Sequence, residues 1–149
     1  MECGVRLNAT SDLPWERRKV TIDGVEVLLM EYFRDVQFYD YTKVTKRAIA
    51  HARGEMPANY HLTFSKTEDN DADVIKVLSE GGNVAVVFDH KADMPAKFTA
   101  MRTLWGGEGF PDIIDGDAHD YRPADPAGVV VALKAKGDAR NDTSGFVLR

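Results

Sequence analysis

Residues 112–120 read DIIDGDAHD, which sets Asp115, Asp117 and Asp120 within one short stretch. Like charges so close repel unless a cation, a proton or water stands between them. Closely spaced oxygen ligands suit a hard divalent cation such as Mg²⁺, so Asp115 and Asp117 are expected metal ligands and a divalent cation the candidate cofactor. Without a cation, mutual repulsion would raise the proton affinity of one carboxylate, making Asp120 a candidate general acid or base. The same residues also fit a polar turn in which Asp115 and Asp117 accept backbone N–H groups, and spacing leaves both readings open. An EF-hand is excluded, because its ligand spacing and downstream glutamate are missing.

A second group lies in LKAKGDARNDTSGFV. In an extended strand Lys134 and Lys136 fall on one side, so two ammonium groups can converge on a phosphate or carboxylate, with Thr143 and Ser144 offering hydroxyls nearby. Asp40 and Lys43 (FYDYTK), Asp12 (TSDLPWE) and Ser65 (HLTFSK) complete the set. Pro14 suits a first helical turn, so Asp12 also fits a helix cap. The histidines show no zinc spacing; His90 and His119, each beside an aspartate, are the better proton carriers. The glycines at 106, 107 and 109 lack the preceding strand and following helix that a nucleotide-binding motif requires.

These residues need elements to position them. VRLNA (5–9), VQFYDY (36–41), YHLTF (60–64), NVAVVF (83–88) and GVVVALKA (128–135) read as strands. VTIDGVEV reads as a hairpin about Asp23-Gly24. Val74, Val77 and Leu78 recur at helical spacing, with Asp69 or Asn70 as cap and Gly81-Gly82 as stop. Weaker helices are expected over 44–53 and near 28–33. A helix between two nearly continuous apolar strands predicts a parallel pair. The expected fold is therefore one α/β domain over 1–149 with a mostly parallel sheet, open or partly barrel-like, and a flexible glycine-rich loop near 99–111 in which Trp105 is a lid or an interface anchor. Each strand is followed by Asp, Lys, Ser, Thr or His. In parallel sheets ligands bind at the strands' carboxyl ends, and that recurrence is the strongest functional signal in the chain.

At 149 residues the chain suffices for one core. With 44% hydrophobic and 29% charged residues its composition is that of a globular domain. No apolar run approaches the roughly 20 residues a membrane span needs, and no signal sequence is legible, so a cytoplasmic location is expected. A net charge of −5 argues against broad nucleic-acid binding. KVTKRAIAHAR is the one locally basic segment, either a groove or a solvated helix face. The single cysteine, Cys3, can form no internal disulfide.

Taken together, VRLNATSDLPWE, VQFYDYTK, NYHLTFSKTEDN, NVAVVF and IDGDAHDYRPADPAGVVVALKAKGDARNDTSGFV resemble the carboxyl-terminal part of a family of uncharacterised proteins encoded by bacteriophages and plasmids. The resemblance covers nearly the whole chain. It implies that longer members carry an upstream cysteine-rich segment absent here, that this is a shortened member, and that self-association replaces missing strands. KFTAMRTLWGGEGFPDIIDGD looks longer and richer in glycine than the family's usual link at this place.

The function expected is that of a phage or mobile-element accessory protein. It would bind, or act on, a small anionic ligand at the strand ends. In a catalytic site Asp40, Lys43, Asp120 and Lys134 would do the chemistry; Asp12, Ser65, Lys136, Thr143 and Ser144 would hold the ligand; Asp115 and Asp117 would hold the metal. The alternative is a non-enzymatic, phage-encoded inhibitor of a host enzyme or defence complex, of the anti-CRISPR kind, whose partner is a host protein. A homo-oligomer is expected in either case.

Overall fold

The computed structural model describes residues 4–89, 99–106 and 108–149; Cys3, His90 and Gly107 lie outside them. The chain begins with β1 (Gly4–Arg6) and a hairpin of β2 (Lys19–Ile22) and β3 (Val25–Leu28). Asp23 (φ 51°) and Gly24 (φ 80°) turn the hairpin with the two positive φ angles its tight loop requires. Then follow α1 (Leu29–Tyr32), β4 (Gln37–Thr42), α2 (Thr45–Ala52), β5 (Tyr60–Ser65), α3 (Asp71–Ser79) and β6 (Asn83–Phe88). The remainder comprises α4 (Thr99–Trp105), β7 (Ile113–Asp115), β8 (Val130–Lys134) and β9 (Val147–Leu148).

Strands β1-β4-β5-β6-β8-β7 lie side by side in that order, and β9 also pairs with β6. Every pairing in this seven-stranded sheet is parallel. β1 and β7 are its edges, so of the two architectures the sequence allowed, the open sheet is the one adopted. β6 pairs with β5 through Asn83, Val84 and Ala85, then with β9 through Val87 and Phe88. The two strands therefore separate toward their carboxyl ends, and the tail fills the gap.

Register assigns the faces. Phe64 is opposite Val84, Val84 opposite Val130 and Val86 opposite Ala132. These side chains share one face, where they pack with Ala48 of α2 and Val74, Val77 and Leu78 of α3 into the main core. The other face carries Tyr41, Ser65, Ala85, Val87, Val131 and Leu133. Its amino-end half is covered by the segment 116–128. There Tyr121 meets Tyr39 edge-on with ring centroids 5.9 Å apart, and Asn83 at the start of β6 donates to the Pro126 carbonyl at 2.8 Å. Among the described residues the carboxyl-end half stays open.

Two local expectations change. Asn70 precedes α3 but makes no side-chain bond to its first amides. Its carbonyl instead accepts from Thr67 N (2.7 Å) and its amide donates to the Ser65 carbonyl (3.0 Å), fastening the β5–α3 loop. The stretch expected to be a loop begins with helix α4, because glycine enters only at residue 106. Trp105 packs on Phe110 (5.9 Å between ring centroids) and against the main core, which is no lid geometry. Among the described residues no helix is long and apolar enough to cross a membrane.

Candidate functional site

Because all seven strands run the same way, the polar residues that follow them gather along one edge of the sheet. Two hollows open there. The larger, about 390 Å³, lies over the uncovered half-face; its floor is Tyr41, Ala85, Val87 and Leu133, and its rim includes Asp117, Asp120, Lys134 and Lys136. The smaller, about 340 Å³, is lined by Asn8, Thr10, Ser11, Asp12, Thr42 and Lys43. Arg6, Tyr41 and Ser65 line both, so the two form one trough.

The trough thus brings together Asp12, Lys43, Ser65, Asp117, Asp120, Lys134 and Lys136 from the residues singled out in the sequence. It leaves out Asp40, Asp115, Thr143 and Ser144. It also contains Arg6, Tyr41, Lys66 and Phe146, which sequence reasoning missed. A signal for Arg6 and Tyr41 existed in strand alternation, which puts every second side chain on one face; Phe146 arrives with a tail strand too short to be recognised.

Asp40 is fully buried. Its carboxylate accepts from Leu7 N (3.1 Å), Asn8 N (2.7 Å), Asn8 Nδ2 (3.1 Å) and Tyr60 Oη (2.8 Å). Burial and the neighbouring Asp40 carboxylate push the Tyr60 phenol well above its ordinary range. Asp12 is similarly engaged: it accepts from Thr42 Oγ1 (2.9 Å) and Lys43 N (2.7 Å) and pairs with Arg47 Nη1. Arg47, 7% exposed, is also bidentate to Glu16, with Nε–Oε1 at 3.0 Å and Nη2–Oε2 at 2.8 Å. The basic segment therefore turns one arginine inward, while Arg53 pairs with Glu80 on the surface at 2.7 Å and Lys43 faces the trough.

In DIIDGDAHD the polar turn is what forms. Asp115 Oδ1 accepts from Asp117 N at 3.0 Å. Gly116 lies against β8, where a Cβ would come within 2.5 Å of Val131 Cγ1 and 2.7 Å of Leu133 Cδ2. Asp117 Oδ2 accepts from Lys134 N (2.9 Å), and its Oδ1 stands 3.3 Å from Lys136 Nζ. Among the described residues no group of three or more His, Cys, Asp or Glu is placed to hold a metal ion. Ser144 likewise closes a turn, donating to Asp142 Oδ1 at 2.6 Å.

The cations at the trough are less fully engaged. Lys66 is buried, donates to the Thr67 carbonyl at 2.7 Å and pairs with Asp71 at 3.0 Å. Arg6, Lys43 and Lys134, all exposed, form no ion pair among the described residues. Arg6 stacks over the Tyr41 ring at 4.9 Å and Lys43 lies 5.9 Å from the Phe146 ring. Burial raises the Tyr41 phenol's pKa, while Arg122 and Arg6 pull it back. Flexible ammonium groups and a guanidinium facing hydroxyls form a surface suited to phosphate or carboxylate.

Fully buried Arg122 holds segment 116–128. It donates to the Gly116 carbonyl at 3.0 Å and to the His119 carbonyl, and its Nε lies 3.4 Å from Asp125 Oδ2. His119 Nε2 stands 3.5 Å from Asp125 Oδ1. His51 and His61 stack edge-on nearby, ring centroids 4.9 Å apart. Burial, then His51 and Arg122, push the His61 pKa down to about 4.

The family model described as Gene product 88 matches residues 1–149. No curated protein matches this chain, and no solved structure does. The chain belongs to the Gene product 88 family, a family of phage gene products.

Proposed function

We propose that this member of the Gene product 88 family binds a small anionic ligand in the trough along the carboxyl ends of its strands. The observation that carries the reading is the charge imbalance there. In a chain of net charge −5, Arg6, Lys43 and Lys134 converge on one concave surface without ion-pair partners among the described residues. Charge-assisted bonds to an anion would satisfy them. Asp12 and Asp117 are already bonded to backbone amides and cationic side chains, so of the trough's carboxylates Asp120 alone is set against these three cations. In this reading the lysines and Arg6 hold the anion, and the hydroxyls of Thr10 and Ser65 complete its hydrogen bonding.

Calorimetric titration with inorganic phosphate at low ionic strength tests it. Saturable binding is expected, weakened about three- to tenfold by Lys43→Gln or Lys134→Gln and by added salt, as for exposed charges. Binding that is absent, or indifferent to both substitutions, would remove the trough as an anion site and return attention to a protein-binding role.

A further inference from the structure

We infer that the anion is a nucleoside monophosphate, its base lying on the apolar floor of the larger hollow and its phosphate among the hydroxyls and Lys43 of the smaller one. This rests on the anion-binding reading above and goes beyond it by naming the ligand class.

The argument begins with a mismatch. An inorganic anion would use only the polar part of the trough, yet the larger hollow offers about 390 Å³ above Ala85, Val87 and Leu133, with the Phe146 ring among its lining. A surface of that kind suits a flat ring. The Arg6 guanidinium, held over Tyr41 at 4.9 Å, stands where the two hollows meet and offers a second planar, cationic surface. Asp120, on the rim of the same hollow, offers acceptor oxygens to ring amino or sugar hydroxyl groups. The smaller hollow is polar, with Thr10 and Lys43 as donors.

The chain also indicates one phosphate rather than two or three. Phosphate chains are usually cradled by glycine-rich backbone turns at helix amino ends. The loops entering α2 and α3, residues 43–44 and 66–70, contain no glycine. The Lys43 amide is occupied by Asp12, and the first turn of α3 carries Asp71 and Asp73. The backbone donors that would grip a diphosphate are thus occupied or shielded by the protein's own carboxylates, leaving side chains to hold a single phosphate.

The test is calorimetric titration of the full chain with inorganic phosphate, ribose 5-phosphate, the four common nucleoside 5′-monophosphates, ADP and a 5′-phosphorylated trinucleotide. At least one monophosphate is expected to bind 30-fold or more tighter than ribose 5-phosphate, with ADP no tighter than AMP. Arg6→Gln should weaken the monophosphate about tenfold and inorganic phosphate less than twofold, whereas Lys43→Gln should weaken both alike. Both side chains are exposed, and an unchanged thermal midpoint would show that the variants fold. Equal binding of ribose 5-phosphate and every monophosphate would overturn the base seat while leaving the anion site standing. ADP or the trinucleotide binding tenfold tighter than any monophosphate would overturn the single-phosphate assignment. Failure of every ligand, phosphate included, would take down both readings together.

Discussion

Replacing Asp40 separates a residue that builds the trough from one that works in it. Asp40→Ala removes an acceptor that receives four hydrogen bonds, three of them buried, from Asn8 N, Asn8 Nδ2 and Tyr60 Oη. Each buried donor left without a partner costs about 1–3 kcal/mol; Asn8 Nδ2 keeps the Leu13 carbonyl, so with Asn8 N, Tyr60 Oη and the partly buried Leu7 N a loss of about 3–5 kcal/mol is expected. At a urea dependence of roughly 2 kcal/mol per molar, the unfolding midpoint should fall by about 2 M. Asp40→Asn should cost about half as much. The Asn8 carbonyl is held by Ser11 Oγ, Leu13 N and Trp15 Nε1, so the Asn8 side chain cannot flip, and its NH₂ would face the NH₂ of the new amide. Trp15, bonded to Asn8 at 2.9 Å, makes tryptophan fluorescence a fitting reporter. An Asp40→Ala midpoint within about 0.3 M of the parent would refute the reasoning. So would an Asp40→Asn protein of unchanged stability that no longer binds phosphate, because the carboxylate would then serve the ligand.

Three other outcomes follow from the geometry. Gly116→Ala should lower stability by about 1–3 kcal/mol in thermal or urea unfolding, because the added methyl meets Val131 and Leu133 in the sheet face; a neutral result would mean that β7 moves freely away from β8. Asp117→Asn should strengthen phosphate binding about threefold by removing the charge beside Lys136 while keeping an acceptor for Lys134 N, and weaker binding would argue instead for a carboxylate role toward the ligand. For pH, His61 titrates near 6.5 when unfolded and at about 4 when folded. The unfolded chain therefore binds more protons between those values, so this contribution is complete above about 6.5 and is lost as pH falls toward 4, with on the order of 3 kcal/mol at stake. The raised Asp125 pKa acts with the opposite sign, its folded form favouring the proton. Urea midpoints measured from pH 7 to 4.5 should fall with acid, and His61→Gln should flatten that slope; an identical slope in the variant would remove His61 as its source.

Much of the frame could be read from periodicity, and the places where it could not are physically intelligible. β5 and β6 are long, buried and apolar, and they lie where expected to within one residue. β1 was expected over 5–9 but ends at Arg6, because the amides of Leu7 and Asn8 leave the ladder for Asp40. β7 and β9, three and two residues long, are too short to show alternation, and both become strands only through their neighbours. Strand order was hidden for a similar reason. The chain passes from β6 to the outermost β7 before returning to β8, and nothing local in DIIDGDAHD encodes that excursion.

Three of the aspartates at the strand ends share one physical cause. In a parallel sheet, a strand that outruns its neighbour leaves backbone amides without ladder partners, and those amides need acceptors. Here adjacent segments supply them as short carboxylates. Asp40 takes the amides beyond β1, Asp12 the Lys43 amide beyond β4, and Asp117 the Lys134 amide at the end of β8. Carboxylates used in this way are fixed toward the backbone, as Asp115 and Asp117 are in the stretch DIIDGDAHD. Lysine and arginine in the same loops meet no comparable demand, because the carbonyl groups left at strand ends can be satisfied by water. An acidic protein can in this way carry a cationic edge: Asp12, Asp40 and Asp117 close the fold, while Arg6, Lys43 and Lys134 are left without ion pairs among the described residues.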